Sequence, residues 1–192
     1  ELRRGGPSIE PFIVDNGRLI SWADVRIEQG LRDNDLPLPF VVWTKDDWRL
    51  KISSLAEGTP DQARLWGRYE LTNRSDRPRS LTFALMARPY QVNGPVQFLA
   101  IPGGVAPVET LKWEAGQLSL DVTQVRPLSA PNSVAMNRFD QRADAQPLIL
   151  PAAQRPAHQT QSLSDTTNLP AAALVYEVSL QPGETRSFGF VS

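Results

Sequence analysis

Asp46 and Asp47 are adjacent carboxylates, the residue type that general acid–base chemistry pairs. Two carboxylates that act across a glycosidic bond must face each other at about 5 to 9 Å. Neighbours on a strand point to opposite faces, and here both acids fall in a turn, so solvated turn aspartates are expected. Asp33-Asn34-Asp35 opens like a calcium loop. It lacks the third acidic ligand, the central glycine and the distal glutamate, so a loop held by Asx turns is expected instead. A Ser-His-Asp triad would have to use His158, the single histidine, and no Gly-x-Ser-x-Gly elbow exists to expose a nucleophile. His158 is therefore expected as an exposed loop residue. Gly103-Gly104 lacks both the lysine and the helix of a phosphate cradle and is expected to be a turn.

The composition removes further chemistry. With no cysteine in 192 residues, a disulfide framework, thiol catalysis and Cys-ligated metal sites are excluded. One histidine cannot supply the two or three imidazoles of a zinc site. No metal and no cofactor is expected. Twenty basic against 21 acidic side chains give a net charge of −1, which argues against a nucleic-acid partner held by bulk positive charge. No run of 18 apolar residues is present, so no membrane-spanning helix is expected. The basic residues are mostly arginine; the lysines are Lys45, Lys51 and Lys112.

The aromatic residues offer the most plausible functional face. Trp66 lies between Arg64 and Arg68 on the exposed parity of its strand, and Trp22 is expected on the same strand face as Ile20 and Asp24. Flat apolar rings suit the C–H face of a pyranose, with Arg, Asp and Asn supplying directional hydrogen bonds. The same residue types also suit the packing of a sheet on a neighbouring domain. Trp43, Trp48 and Trp113 are expected in the core.

The elements that must position these residues repeat with period two. Pro11–Val14 and Arg18–Gln29 flank Asp15-Asn16-Gly17, a type I′ hairpin signal. Along the second strand Leu19, Ala23, Val25 and Ile27 form the expected buried face, with Asp24, Arg26 and Glu28 opposite. Phe40–Trp43 pairs with Trp48–Ile52 across Thr44–Asp47. Ala63–Thr72 and Ser80–Ala87 flank Asn73–Pro78 and predict a third hairpin. Further strands are expected over Val96–Ala100, Val108–Trp113, Leu118–Val125 (Leu118, Leu120 and Val122 inward), Ser133–Phe139, Ala172–Leu180 and Ser187–Val191, with a turn at Pro102–Gly104. Residues 151–170 show no period and predict a surface loop. No amphipathic helix of a dozen residues is present. The pattern predicts one all-β domain over 1–192, a large antiparallel β-sandwich, and about 70% of its unfolded surface could be buried. The chain begins at Glu1 with no charged-then-apolar leader, so it is expected to be part of something longer.

Leu71–Phe83, Ala87–Pro95 (Ala-Arg-Pro-Tyr-Gln-Val-Asn-Gly-Pro), Gln97–Leu99, Pro102–Val105 and Tyr176–Phe188 together resemble a β-sandwich segment of large bacterial glycoside-hydrolase-like proteins. In these a supersandwich accompanies an (α/α)6 toroid. The closing Pro182-Gly183-Glu184 is similar to the turn before an outer strand in the last hairpin of such sandwiches. The resemblance implies a non-catalytic accessory domain, because the catalytic acids belong to the toroid's helices and no catalytic residue carries over. Its implied partner is a neighbouring catalytic domain of the same polypeptide, in a periplasmic or secreted protein. One alternative is a carbohydrate-binding module; another is a mutarotase-like enzyme, which would need an acid–base partner for His158. The candidates for glycan or interface contact are Trp22, Arg64, Trp66, Arg68, Arg88 and Tyr90.

Overall fold

Asn16 and Gly17 both take left-handed backbone, φ 51° and 75°, which a type I′ turn requires. They fold β1 (Ser8–Asp15) onto β2 (Arg18–Ile20). Ala115-Gly116 does the same between β8 (Thr110–Glu114) and β9 (Gln117–Leu120). Asp46-Asp47 joins β4 (Pro39–Lys45) to β5 (Trp48–Glu57), and Asp121-Val122 joins β9 to β10 (Thr123–Pro127). The other strands are β3 (Arg26–Leu31), β6 (Arg64–Asn73), β7 (Arg79–Arg88), β11 (Ser133–Asn137), β12 (Arg155–Pro156), β13 (Gln161–Ser164), β14 (Ala171–Leu180) and β15 (Thr185–Val191). A five-residue helix, α1 (Ala145–Ile149), is capped by the Asp144 carboxylate. The computed structural model describes residues 1–3, 5–34, 36–59, 62–91, 104–150 and 155–192.

These strands make an all-β sandwich of two antiparallel sheets, ordered β12-β11-β14-β7-β1-β2 and β13-β8-β9-β10-β15-β6-β5-β4-β3. Between the sheets lies one core. Trp43, Trp48 and Trp113 are buried there, as expected. Its centre is aromatic: Phe83 lies 4.6 Å from Phe188 and 5.4 Å from Tyr69, centroid to centroid. Burial pushes the Tyr69 and Tyr176 hydroxyls far above the ordinary phenol range, so both stay neutral.

The period-two pattern located most strands, but not which sheet each joins. β6 and β7 do not form the expected hairpin. β6 pairs with β5 and β15, whereas β7 pairs with β1 and β14 in the opposite sheet. Residues 74–78 therefore arch across the core. β14 and β15 are likewise split between sheets, and β15 is the central strand of the nine, not an outer one. Both arches converge on fully buried Asn73. Its Nδ2 donates to the carbonyls of Arg77 (2.7 Å) and Leu180 (3.1 Å), and its Oδ1 accepts from Ser75 N and Oγ. A buried side chain that joins two crossovers is what distinguishes these turns from hairpins.

Four further expectations change. The Arg18–Gln29 strand is broken. Ser21 and Asp24 form a reciprocal capping box around a 3-10 turn at Trp22–Asp24, and the chain then moves to the other sheet as β3. Ile27 is consequently 43% exposed, not buried. Leu118–Val125 is interrupted because Asp121 turns left-handed (φ 49°); Leu118 and Leu120 face the core, but Val122 is 77% exposed at the hairpin tip. The 151–170 stretch is not all loop. It holds β12 and β13, and β13 pairs with β8. Ser133–Phe139 is a strand only to Asn137, with Phe139 in a 3-10 turn. The Val96–Ala100 strand and residues Pro102-Gly103 lie outside the described residues.

The sheets also differ on their outer faces. In the six-stranded sheet Ala84, Met86, Ala135, Ala171, Ala173 and Val175 face outward and are buried, packed with Leu148 and Ile149 of α1. The nine-stranded sheet carries charged, polar and aromatic side chains on its outer face instead.

Candidate functional site

Register builds this second face. Phe40 on β4 pairs with Ser53 on β5, Ser53 with Arg68 on β6, and Arg68 with Gly189 on β15. Beside that row, Leu55 pairs with Trp66, and Lys51 with Glu70. Because side chains alternate along a strand, all of these share the outer face. Gly30 and Gly189 leave room for neighbouring side chains. A Cβ on Gly30 would sit 3.0 Å from the Phe40 ring, and one on Gly189 would sit 2.9 Å from Leu128 Cδ1. The result is a cleft of about 700 Å³.

Its charged groups sit beside partners. Trp66 Nε1 donates to Glu57 Oε1 at 2.9 Å, which holds the half-buried indole. Arg68 NH2 donates to Glu70 Oε1 at 2.9 Å. Arg32 lies 3.7 Å from Asp33, and Lys51 Nζ lies 5.3 Å from the Phe40 ring centre. Among the described residues, Asp33 and Glu70 are the acids that line the cleft, and each lies beside an arginine.

The six candidates fall in four places. Trp66 and Arg68 come together in the cleft. Arg64 opens β6 opposite Glu57 and lines a separate hollow with Gly58 and Gln62. Trp22 sits in the 3-10 turn before β3, 61% exposed, not on the strand face expected for it. Arg88 ends β7 in the other sheet, ion-paired with Glu10 and stacked 4.5 Å from the Tyr90 ring centre. Phe40, Ser53, Leu55 and Leu128 join the cleft without having been anticipated. Phe40, Ser53 and Leu55 could have been found from strand parity once the pairing was known. Leu128 lies just beyond β10 and carries no such signal.

His158 is exposed in a second cleft of about 600 Å³, with Trp113, Arg126, Pro131 and Asn132. Among the described residues, no carboxylate lines this cleft, so none stands there as the acid–base partner that the mutarotase-like reading requires. Asp47 is more than a solvated turn aspartate. Arg79 donates to it at 2.8 Å and to both oxygens of Asp15 at 2.7 Å, while Trp48 Nε1 donates to Asp15. This clamp joins the two sheets. Asp33 is exposed and left-handed (φ 53°); Asp35 lies outside the described residues.

No protein-family model matches the sequence, and no curated protein matches it. Among solved structures it is similar to one from the human microbiome that bears the description kojibiose phosphorylase. The two share 11% identity at a TM-score of 0.45, over 94% of this chain and 21% of the other. The chain thus spans about a fifth of that protein's length.

Proposed function

We propose that this chain is a non-catalytic accessory β-sandwich of a bacterial, glycoside-hydrolase-like protein, periplasmic or secreted, and that it packs on a catalytic domain of the same polypeptide. The observation that carries the reading is the β3 edge of the nine-stranded sheet. Ile27 and Leu31 stand on the core-facing parity of β3, opposite Trp43 and Pro39, yet each is 43% exposed. Trp22 (61%) and Leu36 (42%) continue the apolar rim through the turns on either side. The nine-stranded sheet is wider than its six-stranded partner, and among the described residues this edge is a core-facing surface left partly open. Apolar residues rimmed by charge, here the Arg26–Glu28 pair at 3.2 Å, mark an interaction surface.

The test is Ile27→Glu combined with Leu31→Lys in the parent polypeptide. The sandwich itself should keep its stability to within about 0.5 kcal/mol. The junction with the catalytic domain should become sensitive to limited proteolysis. An unchanged digestion pattern, or glycoside turnover by the purified 192-residue chain, would overturn the proposal.

A further inference from the structure

We propose that the cleft across β4, β5 and β6 binds a neutral glycan chain of pyranose rings. Three observations carry this. The first is shape. The row Phe40–Ser53–Arg68–Gly189 crosses four strands spaced about 4.8 Å apart, a trough of about 14 Å that suits linked rings better than a single sugar. The second is preorganisation. The Trp66 indole is held by Glu57, so little rotamer freedom is lost when its face takes the apolar C–H face of a pyranose.

The third is charge, and it selects the ligand class. Arg68 is engaged by Glu70, Arg32 by Asp33, and Lys51 lies over Phe40. The Glu70 carboxylate on one edge of the Arg68 guanidinium would repel a phosphate or uronate that approached it. Vicinal hydroxyls are not repelled, because an arginine–carboxylate pair side by side offers donors and acceptors together. A protein partner fits less well, since the centres of protein interfaces are depleted in Lys, Glu and Asp. The β3 rim has the opposite composition. The two surfaces are distinct, and the glycan site does not depend on the packing reading.

The test titrates the 192-residue chain with maltohexaose, cellohexaose, laminarihexaose and xylohexaose, and with polygalacturonate and inorganic phosphate as anionic probes. Calorimetry and tryptophan fluorescence report binding. At least one neutral hexasaccharide should bind, with an affinity insensitive to added salt. Trp66→Ala should weaken it about ten-fold or more, and Trp22→Ala should leave it unchanged. Ser53→Arg gives the same loss without removing the indole, by filling the trough from an outward-facing position. Thermal unfolding verifies the fold of each variant. The proposal is overturned if none of the four neutral chains binds, if an anionic probe binds more tightly, or if Trp66→Ala and Ser53→Arg both leave affinity intact.

Discussion

The two sheets turn opposite kinds of face outward, and the contrast shows where this molecule can interact. The outer face of the six-stranded sheet is built from apolar residues: Ala84, Met86, Ala173 and Val175 are buried there in one cluster with Leu148 and Ile149 of α1, which lies against β11 and β14. Among the described residues, no helix lies over the outer face of the nine-stranded sheet. That face carries paired charges and aromatic rings around an open cleft. The first face is spent on stability, and substitutions there should be read as folding changes. The second contributes little to the core, so substitutions there should act on binding. A charge tests this most sharply. Ala173→Asp places an unpaired carboxylate beneath α1 and should cost more than about 4 kcal/mol or abolish folding. Ser53→Asp puts the same group on the open face and should shift stability by less than about 0.5 kcal/mol. Denaturant unfolding of both variants measures the difference; equal losses would erase the distinction between the faces.

A smaller effect is expected from the helix itself. Leu148 is fully buried against the sheet, and Leu148→Ala should cost about 2 to 5 kcal/mol, the range for a large-to-small change at a buried site. Leu55, its counterpart in apolar character on the open face, is 43% exposed, and Leu55→Ala should cost well under about 1 kcal/mol. A Leu148→Ala variant that unfolds with the wild-type midpoint would mean that α1 is not what seals the face.

The faces themselves were only partly legible in the sequence. Strand parity placed Trp66, Arg64 and Arg68 outward, because a pleated strand alternates regardless of its neighbours. Parity is silent on which sheet a strand enters. Asn73–Pro78 has the composition of a hairpin turn, yet the chain uses it to cross the core, and only the burial of Asn73 distinguishes the two outcomes. For that reason Trp22 and Trp66, read as members of one kind of surface, lie at a sheet edge and in a cleft respectively. One signal was available and overlooked. Ser21-Trp22-Ala23-Asp24 is a capping box, which breaks a strand where alternation alone would continue it. Leu128 reaches the cleft from beyond the end of β10, and no local pattern encodes that approach.

What keeps the sheets in the alignment that covers one face and opens the other can be tested by pH. Asp165, directly after β13 of the nine-stranded sheet, is buried and accepts from Phe139 N at 2.8 Å, just beyond β11 of the six-stranded one. It also accepts from Thr167 N and Oγ1, both at 2.9 Å. Burial on its own would raise the Asp165 pKa, but these hydrogen bonds and one from Leu169 N outweigh it and hold the carboxyl below the usual range. The folded state therefore favours the carboxylate. Its contribution is fully present above the unfolded value of about 3.9 and is lost as pH falls through the lower folded value. Asp165→Asn presents an amide to donors that need an acceptor and should cost about 1 to 3 kcal/mol near neutral pH. It should also flatten this residue's share of the acid-side decline. Thermal unfolding from about pH 6 to pH 3 compares the two proteins; parallel curves would show that Asp165 does not tie the sheets through its charge.

The smallest effect belongs to the open face and sharpens the comparison from its other side. Lys51 Nζ lies over the Phe40 ring at 5.3 Å in a partly exposed setting, where a cation–π contact is worth about 0.5 to 1 kcal/mol. Lys51→Met keeps the aliphatic stem that covers the sheet and removes only the charge, so stability should fall by no more than that. The same variant should leave the affinity for a neutral hexasaccharide within about two-fold, because Lys51 is engaged by the ring and Arg68 supplies the donors. If instead Lys51→Met abolished binding while the fold was intact, the ammonium would be a ligand contact. The cleft would then favour an anionic chain, and the face would owe its character to net charge instead of to paired charge.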